Sequence, residues 1–223
     1  MKKIVLCLTG VILFAACSYG KEVEIKKCGA APVIDGMLDE KCWKDASRQE
    51  MESNVMGEDL FEKAYCYMTY DDTNLYVAVE CYDSMMKEIK ASAKSGADVW
   101  ADDCVEIFID PTNEGVGYFH ILANSAGLND KGYYKKKGSV GGWKTKQLVI
   151  KASKSEDKWV VEFAIPIADL SATVKKELSK ESWHINIERE RPGKSNSPYE
   201  DYIWTPTWGS SHMPDRFGVI KFK

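Results

Sequence analysis

Apolar and polar residues alternate with a period of two along most of this chain. Cys104 to Asp110 places Val105, Ile107 and Ile109 on one face and Glu106 and Phe108 on the other. Gly117 to Asn124 sets Phe119, Ile121 and Ala123 against Tyr118, His120 and Leu122. Residues 64–70 and 75–83 read as two strands around the polar loop Asp71-Asp72-Thr73-Asn74. Further strands are predicted at 23–25, 146–152, 158–164, 183–189, 201–204 and 216–222. Pro166, Pro192, Pro206 and Pro214 fall between them, where a missing N–H does least harm. Helical spacing is scarce. Leu38, Cys42 and Ala46 predict one short helix after Asp35-Gly36, and Leu170, Val174 and Leu178 predict a second. There is no strand–helix alternation, so a parallel α/β sheet is not expected. The pattern predicts an all-β chain: an antiparallel β-sandwich of two packed sheets with one or two short helices.

Length fits one such domain behind a leader: 223 residues, 44% hydrophobic and 29% charged. Residues 1–16 carry Lys2 and Lys3, then an apolar run too short to be a comfortable membrane span, ending in small residues before Cys17. This resembles a bacterial lipoprotein signal, with Cys17 lipidated, a linker at 17–22 and the sandwich at 23–223. Ordinary signal cleavage is the alternative. The expected location is outside the cytoplasm, lipid-anchored to the outer membrane or cell surface, with membrane contact through the anchor only. The net charge is −4, and removal of Lys2 and Lys3 makes it more negative. No nucleic-acid partner is expected. Cys28, Cys42, Cys66, Cys81 and Cys104 remain after the leader, an odd set with no Cys-x-x-Cys spacing. Their pairing is left open between some disulfide and buried thiols acting as small apolar residues.

No His-Glu-x-x-His, Gly-x-Ser-x-Gly, phosphate loop or dinucleotide fingerprint occurs. No organic cofactor and no enzymatic activity are expected. The carboxylates Asp102, Asp103, Glu106 and Asp110 sit at strand ends, where a structural calcium ion is one expectation and solvated acids the other. Of the seven tryptophans, Trp43, Trp159 and Trp183 read as core. Trp100 lies in a polar segment and Trp208 in a loop of small residues. An exposed indole leaves apolar area in water unless it packs or binds, and sugar rings present flat C–H faces to such a surface.

Six ordered segments resemble carbohydrate-binding module family 9 and its DOMON-like relatives. They are residues 32–40 with Trp43, residues 70–77, 100–110 (WADDCVEIFID) and 159–166 (WVVEFAIP), Asn186 with Arg189 and then Trp204, and the ending 214–220. The resemblance implies a sandwich that binds sugars between two aromatic side chains and commonly carries calcium. It places the first aromatic at Trp100, a ligand-facing acid at Glu106 and a basic contact near His120. The second aromatic position falls near Ser211 or His212, which leaves Trp208, Trp204, His212 or no residue as the second wall.

The expected function is therefore non-catalytic binding of an oligo- or polysaccharide at the bacterial surface, alone or beside glycan-degrading enzymes. Trp100 and Trp208 would stack on the sugar, while Glu106, His120 and His212 bond its hydroxyls. Two rivals stand beside it. One is a haem-binding redox module using Met residues such as Met68, Met85 and Met86 with His120. The other is a structural or adhesive surface protein with no sugar ligand.

Overall fold

The structure is a computed structural model that describes residues 20–135, 139–141 and 143–223. The expected signal segment, Cys17 and the first linker residues lie outside the described residues. In chain order the elements are β1 (Glu22–Ile25), α1 (Lys41–Asp45), β2 (Gln49–Glu50), β3 (Glu52–Ser53), β4 (Ala64–Tyr70) and β5 (Asn74–Tyr82). Then come β6 (Cys104–Asp110), β7 (Gly117–Asn124), β8 (Asn129–Lys135), β9 (Ser139–Gly141), β10 (Val149–Lys154) and β11 (Lys158–Pro166). The last are α2 (Ile167–Val174), β12 (Ser182–Arg191), β13 (Glu200–Ile203) and β14 (Gly218–Phe222).

Two sheets pack face to face. The larger has the order β1-β14-β12-β6-β7-β8-β9, with β13 beside β12 and β3 beyond it; the smaller has the order β10-β11-β5-β4-β2. Strand pairs are antiparallel except β1 with β14, which run parallel. The alternation read from sequence decides what lies between the sheets. Val105, Ile107 and Ile109 of β6, Phe119 and Ile121 of β7, and Ile185 and Ile187 of β12 meet Val77 and Val79 of β5 and Trp159, Val161 and Phe163 of β11 in one core cluster. Each such side chain contributes about 1.5–3 kcal/mol on burial. The three tryptophans expected in the core are buried.

The opposite face of the larger sheet positions the site. Every residue of β6 and β7 is buried, so this face is covered rather than washed by solvent. Two small apolar clusters cover it. Val99, Cys104 and Leu122 form one, and Phe108, Tyr118 and Phe217 form the other. They leave a groove between them.

Several elements differ from the sequence reading. Helix α1 is five residues and begins after Leu38, and α2 stops before Leu178. Strand β10 starts at Val149, because Thr145 Oγ1 accepts from the N–H groups of Gln147 and Leu148 and holds them in a turn. Residues 214–216 form a short 3₁₀ turn before β14. Strand β8 (NDKGYYK) gave no strand signal, since glycine and charge fill what is largely a solvent-side strand. The cysteines left open by the sequence are all free thiols. Full burial pushes the Cys66 and Cys81 thiols up to about 12.

Candidate functional site

The groove holds about 510 Å³ and is lined by residues of five strands and two loops, among them Trp100, Glu106, His120, Glu188 and His212. Its floor follows from strand register. Phe108 pairs with His120 across β6 and β7, and Glu106 pairs with Glu188 across β6 and β12. All four side chains point to the face away from the core, as period-two alternation requires.

The floor is rigid and specifically bonded. His120 Nε2 lies 2.6 Å from Glu106 Oε2. The His120 ring stacks on Phe108 with centroids 4.6 Å apart and planes 7° from parallel. His212 enters from the loop after β13; its Nδ1 lies 2.7 Å from Tyr118 Oη, and its ring meets His120 edge-on at 5.0 Å. Burial, then the neighbouring His120, holds the His212 imidazole below its ordinary pKa.

Trp100 forms one rim, with 65% of its surface exposed. It sits in a 3₁₀ turn, Gly96–Ala101. Val99 is fully buried in the apolar cluster with Cys104 and Leu122, which directs the next side chain outward. Gly96 permits the turn to lie on β8: a Cβ there would stand 2.7 Å from the Asn129 carbonyl oxygen. Asp102 clasps the base of the segment, accepting from the N–H groups of Ser92 at 3.0 Å and Ala93 at 2.9 Å and from Asn124 Nδ2 at 2.9 Å. Burial alone would raise the Asp102 carboxyl, but these donors outweigh it and hold it below the usual carboxylate range.

The other acids considered for calcium are similarly engaged. Asp103 accepts from Lys90 N–H at 2.7 Å and Lys194 Nζ at 2.9 Å. Asp110 accepts from Thr112 and Gly115 N–H groups at 3.0 and 2.8 Å. Carboxylates already satisfied by fixed protein donors do not fit a calcium site, which needs six or more free oxygens. Glu106 alone of the four turns to the groove.

Trp208 is placed elsewhere. It is 49% exposed, but its ring lines a separate groove with Glu50, Met51 and Leu60. Its backbone explains this. Trp208 has φ of 54°, and Asn54 Oδ1 accepts its N–H at 3.1 Å together with the N–H of Thr207 at 2.9 Å. The same loop thus turns Gly209, Ser210, Ser211 and His212 toward the acidic groove and the indole away from it. Trp204, left open as a second wall, is fully buried in the core. Asn186 anchors this loop from below, bonding both the N–H and the carbonyl of Thr205. Arg189 faces inward and bonds Tyr82 O at 2.9 Å and Asp83 Oδ2 at 3.1 Å, so it holds the sheets together. The haem pairing does not assemble: Met68 lies in the core between the sheets, Met86 packs against that core, and no methionine is among the described residues that line the groove with His120.

Four acids in the groove escaped the sequence reading: Glu188, Glu190, Asp201 and Asp130. Alternation along β12 would have found two of them, since Trp183, Ile185 and Ile187 face inward and Glu188 and Glu190 must then face out. Asp201 pairs with Glu190 across β12 and β13, which only the sheet order reveals. Among the described residues the lining contains no Lys or Arg. Burial, then the Asp201 carboxyl and the Glu106 charge, pushes the Glu188 pKa well up. Burial raises Glu190 to about 7 despite its bond from Tyr199.

A rigid β-sandwich carrying an open groove with an exposed indole over a bed of hydrogen-bonding groups defines a ligand-binding domain. Residues 34–223 match the family described as carbohydrate family 9 binding domain-like, and the chain belongs to that family. It is 26% identical over 214 residues, 94% of its length, to an endo-1,4-β-xylanase A of Thermotoga maritima, and covers 18% of that protein. A second xylanase A, from Thermotoga neapolitana, is 35% identical over 91 residues, 40% of this chain and 8% of the xylanase. The chain thus spans less than a fifth of the length of these curated relatives. The fold is also that of a family 9 carbohydrate-binding module of Caldicellulosiruptor kristjanssonii, solved in complex with cellotriose. The TM-score is 0.69 at 19% identity, covering 91% of this chain and 94% of that one. A Bacteroides uniformis protein gives a TM-score of 0.73 at 16% identity, covering 92% of this chain and 100% of that one.

Proposed function

We propose that the groove edged by Trp100 is the carbohydrate site of this binding domain, and that the domain works without catalysis, anchored outside the cytoplasm through Cys17. The single observation that carries the reading is the exposed Trp100 indole standing over the buried Glu106–His120 pair. The indole offers a flat apolar face to a sugar's C–H groups, and Glu106, Glu188 and His212 offer acceptors and donors to its hydroxyls. The Caldicellulosiruptor module's complex with cellotriose makes neutral β-linked glucose oligosaccharides the first ligands to test. A lining of acids with no Lys or Arg among the described residues disfavours uronic acids and sulfated glycans. Anchoring beside glycan-degrading enzymes would place such a domain where chain ends are released.

The test is a glycan array probed with the full chain. Retention on neutral glucans, with no signal on polyuronates, is expected. Binding to no glycan would remove the proposal and favour the adhesive reading, and binding to polyuronates alone would overturn the neutral-glucan assignment.

A further inference from the structure

We propose that Glu106, His120 and His212 form a site for a divalent transition-metal ion, zinc in its chemistry, at the floor of the groove. Among the described residues these three bring one ligand atom each within 4.8 Å of one another. The set is two imidazoles and one carboxylate. Such borderline nitrogen and oxygen donors select zinc-like ions over calcium, which wants oxygens alone. The residues come from two neighbouring strands and a distant loop, at 106, 120 and 212, so no local motif announces them.

The surroundings are those of a ligand set. His212 Nδ1 is occupied by Tyr118 Oη at 2.7 Å, which leaves Nε2 to coordinate and fixes the ring from behind. Phe108 stacks on His120 and holds its plane. Glu106 and His120 are 5% and 6% exposed, while His212 sits on the solvent side. Tetrahedral bonds of about 2.0–2.1 Å place ligand atoms roughly 3.3 Å apart. The Glu106–His120 pair therefore opens slightly from 2.6 Å and the exposed His212 closes toward it. On binding, the metal takes the place of the hydrogen bond between Glu106 and His120. The acids of the groove, with no Lys or Arg among the described lining residues, give a cation carboxylate oxygens rather than opposing charge to meet. Three protein ligands leave a fourth position open to the groove.

The test is calorimetric titration of zinc chloride into the chelator-treated, tag-free full chain at pH 7.5, with calcium chloride in parallel. One zinc per chain is expected, with calcium failing to compete. His212→Ala, a change on the exposed loop, is expected to weaken zinc binding at least tenfold with an unchanged melting temperature. Cobalt loading is expected to give visible absorption that His212→Ala abolishes. Trp100→Ala is expected to keep zinc binding, so the metal result stands apart from any result with sugars. Absence of saturable zinc binding, equal competition by calcium, or unaltered affinity and spectrum in His212→Ala would overturn the proposal.

Discussion

Glu188 stands opposite Glu106 in the register of β12 and β6, and the two are only 2% and 5% exposed. Two acids on adjacent strands are thus turned to one side and shut away from water, with Glu190 and Asp201 beside them. Like charges directly opposite one another destabilise a sheet, and the raised Glu188 pKa relieves that repulsion. These acids line the groove that carries Trp100.

This crowding has a stability consequence. Glu190 is raised from its ordinary value to about 7, by burial first. A carboxyl whose folded pKa is raised keeps its proton while the unfolded chain releases it, so stability falls as pH rises from about 4.5 to about 7. Glu190→Gln is expected to flatten that slope and to stabilise the protein near pH 8 by on the order of 2 kcal/mol, after allowance for solvent screening. Urea unfolding at several pH values checks this. An unchanged slope would show that Glu190 ionises freely in the folded protein.

Asp83 titrates with the opposite sign. It is fully buried between Arg189 at 3.1 Å and Arg191 at 2.8 Å, with Lys194 nearby. Burial alone would raise its pKa, but the Arg191 bond and the surrounding cations outweigh burial and hold it down. Its contribution is therefore present above the ordinary Asp range and is lost as pH falls through the lowered value. Asp83→Asn is expected to destabilise by about 3–5 kcal/mol, because it takes the paired carboxylate from buried Arg189 and leaves Arg191 with Glu200 alone. Thermal unfolding at pH 7 measures the loss, and a change below about 1 kcal/mol would contradict it.

Gly96 tests how the rim is held. Gly96→Ala would press a Cβ to 2.7 Å from the Asn129 carbonyl. The 3₁₀ turn must lift from β8, carrying Trp100 with it. Sugar affinity is expected to fall at least threefold with a small change in melting temperature, since Val99 and the Asp102 clasp remain. Wild-type affinity in Gly96→Ala would mean that the turn tolerates the shift.

Trp208 offers the converse. Because its indole lines the groove with Met51 and Leu60, Trp208→Ala is expected to leave sugar binding within about twofold of wild type. A loss as large as that of a stacking residue would mean that loop 205–213 rearranges on binding.

How much was legible in the chain follows the physics of each element. Strands β4, β6 and β7 could be read to the residue, because strict alternation marks a sheet with two unlike faces. Glu106 and His120 could be placed on the groove side of their strands by the same rule, whereas Trp100 stands out by its polar segment and takes its direction from the 3₁₀ turn that buries Val99. Trp208 could not: its direction depends on a positive φ pinned by Asn54, some 154 positions away. Asp201 joins the groove only through pairing of β13 with β12, and β8 was hidden by its glycine and lysines. Local pattern fixes which side a strand residue faces; loops and non-neighbouring strands need contacts that no local window contains.

Calorimetric titration of cellotriose into wild type and Trp100→Ala, alongside their melting temperatures, decides whether the indole is a binding surface. Wild type is expected to bind in the micromolar to millimolar range, about 8 to 4 kcal/mol. Trp100→Ala should lose at least tenfold in affinity while melting within about 2 °C of wild type. Equal affinity in the two proteins, or a variant that fails mainly by unfolding, would contradict a sugar seated on Trp100.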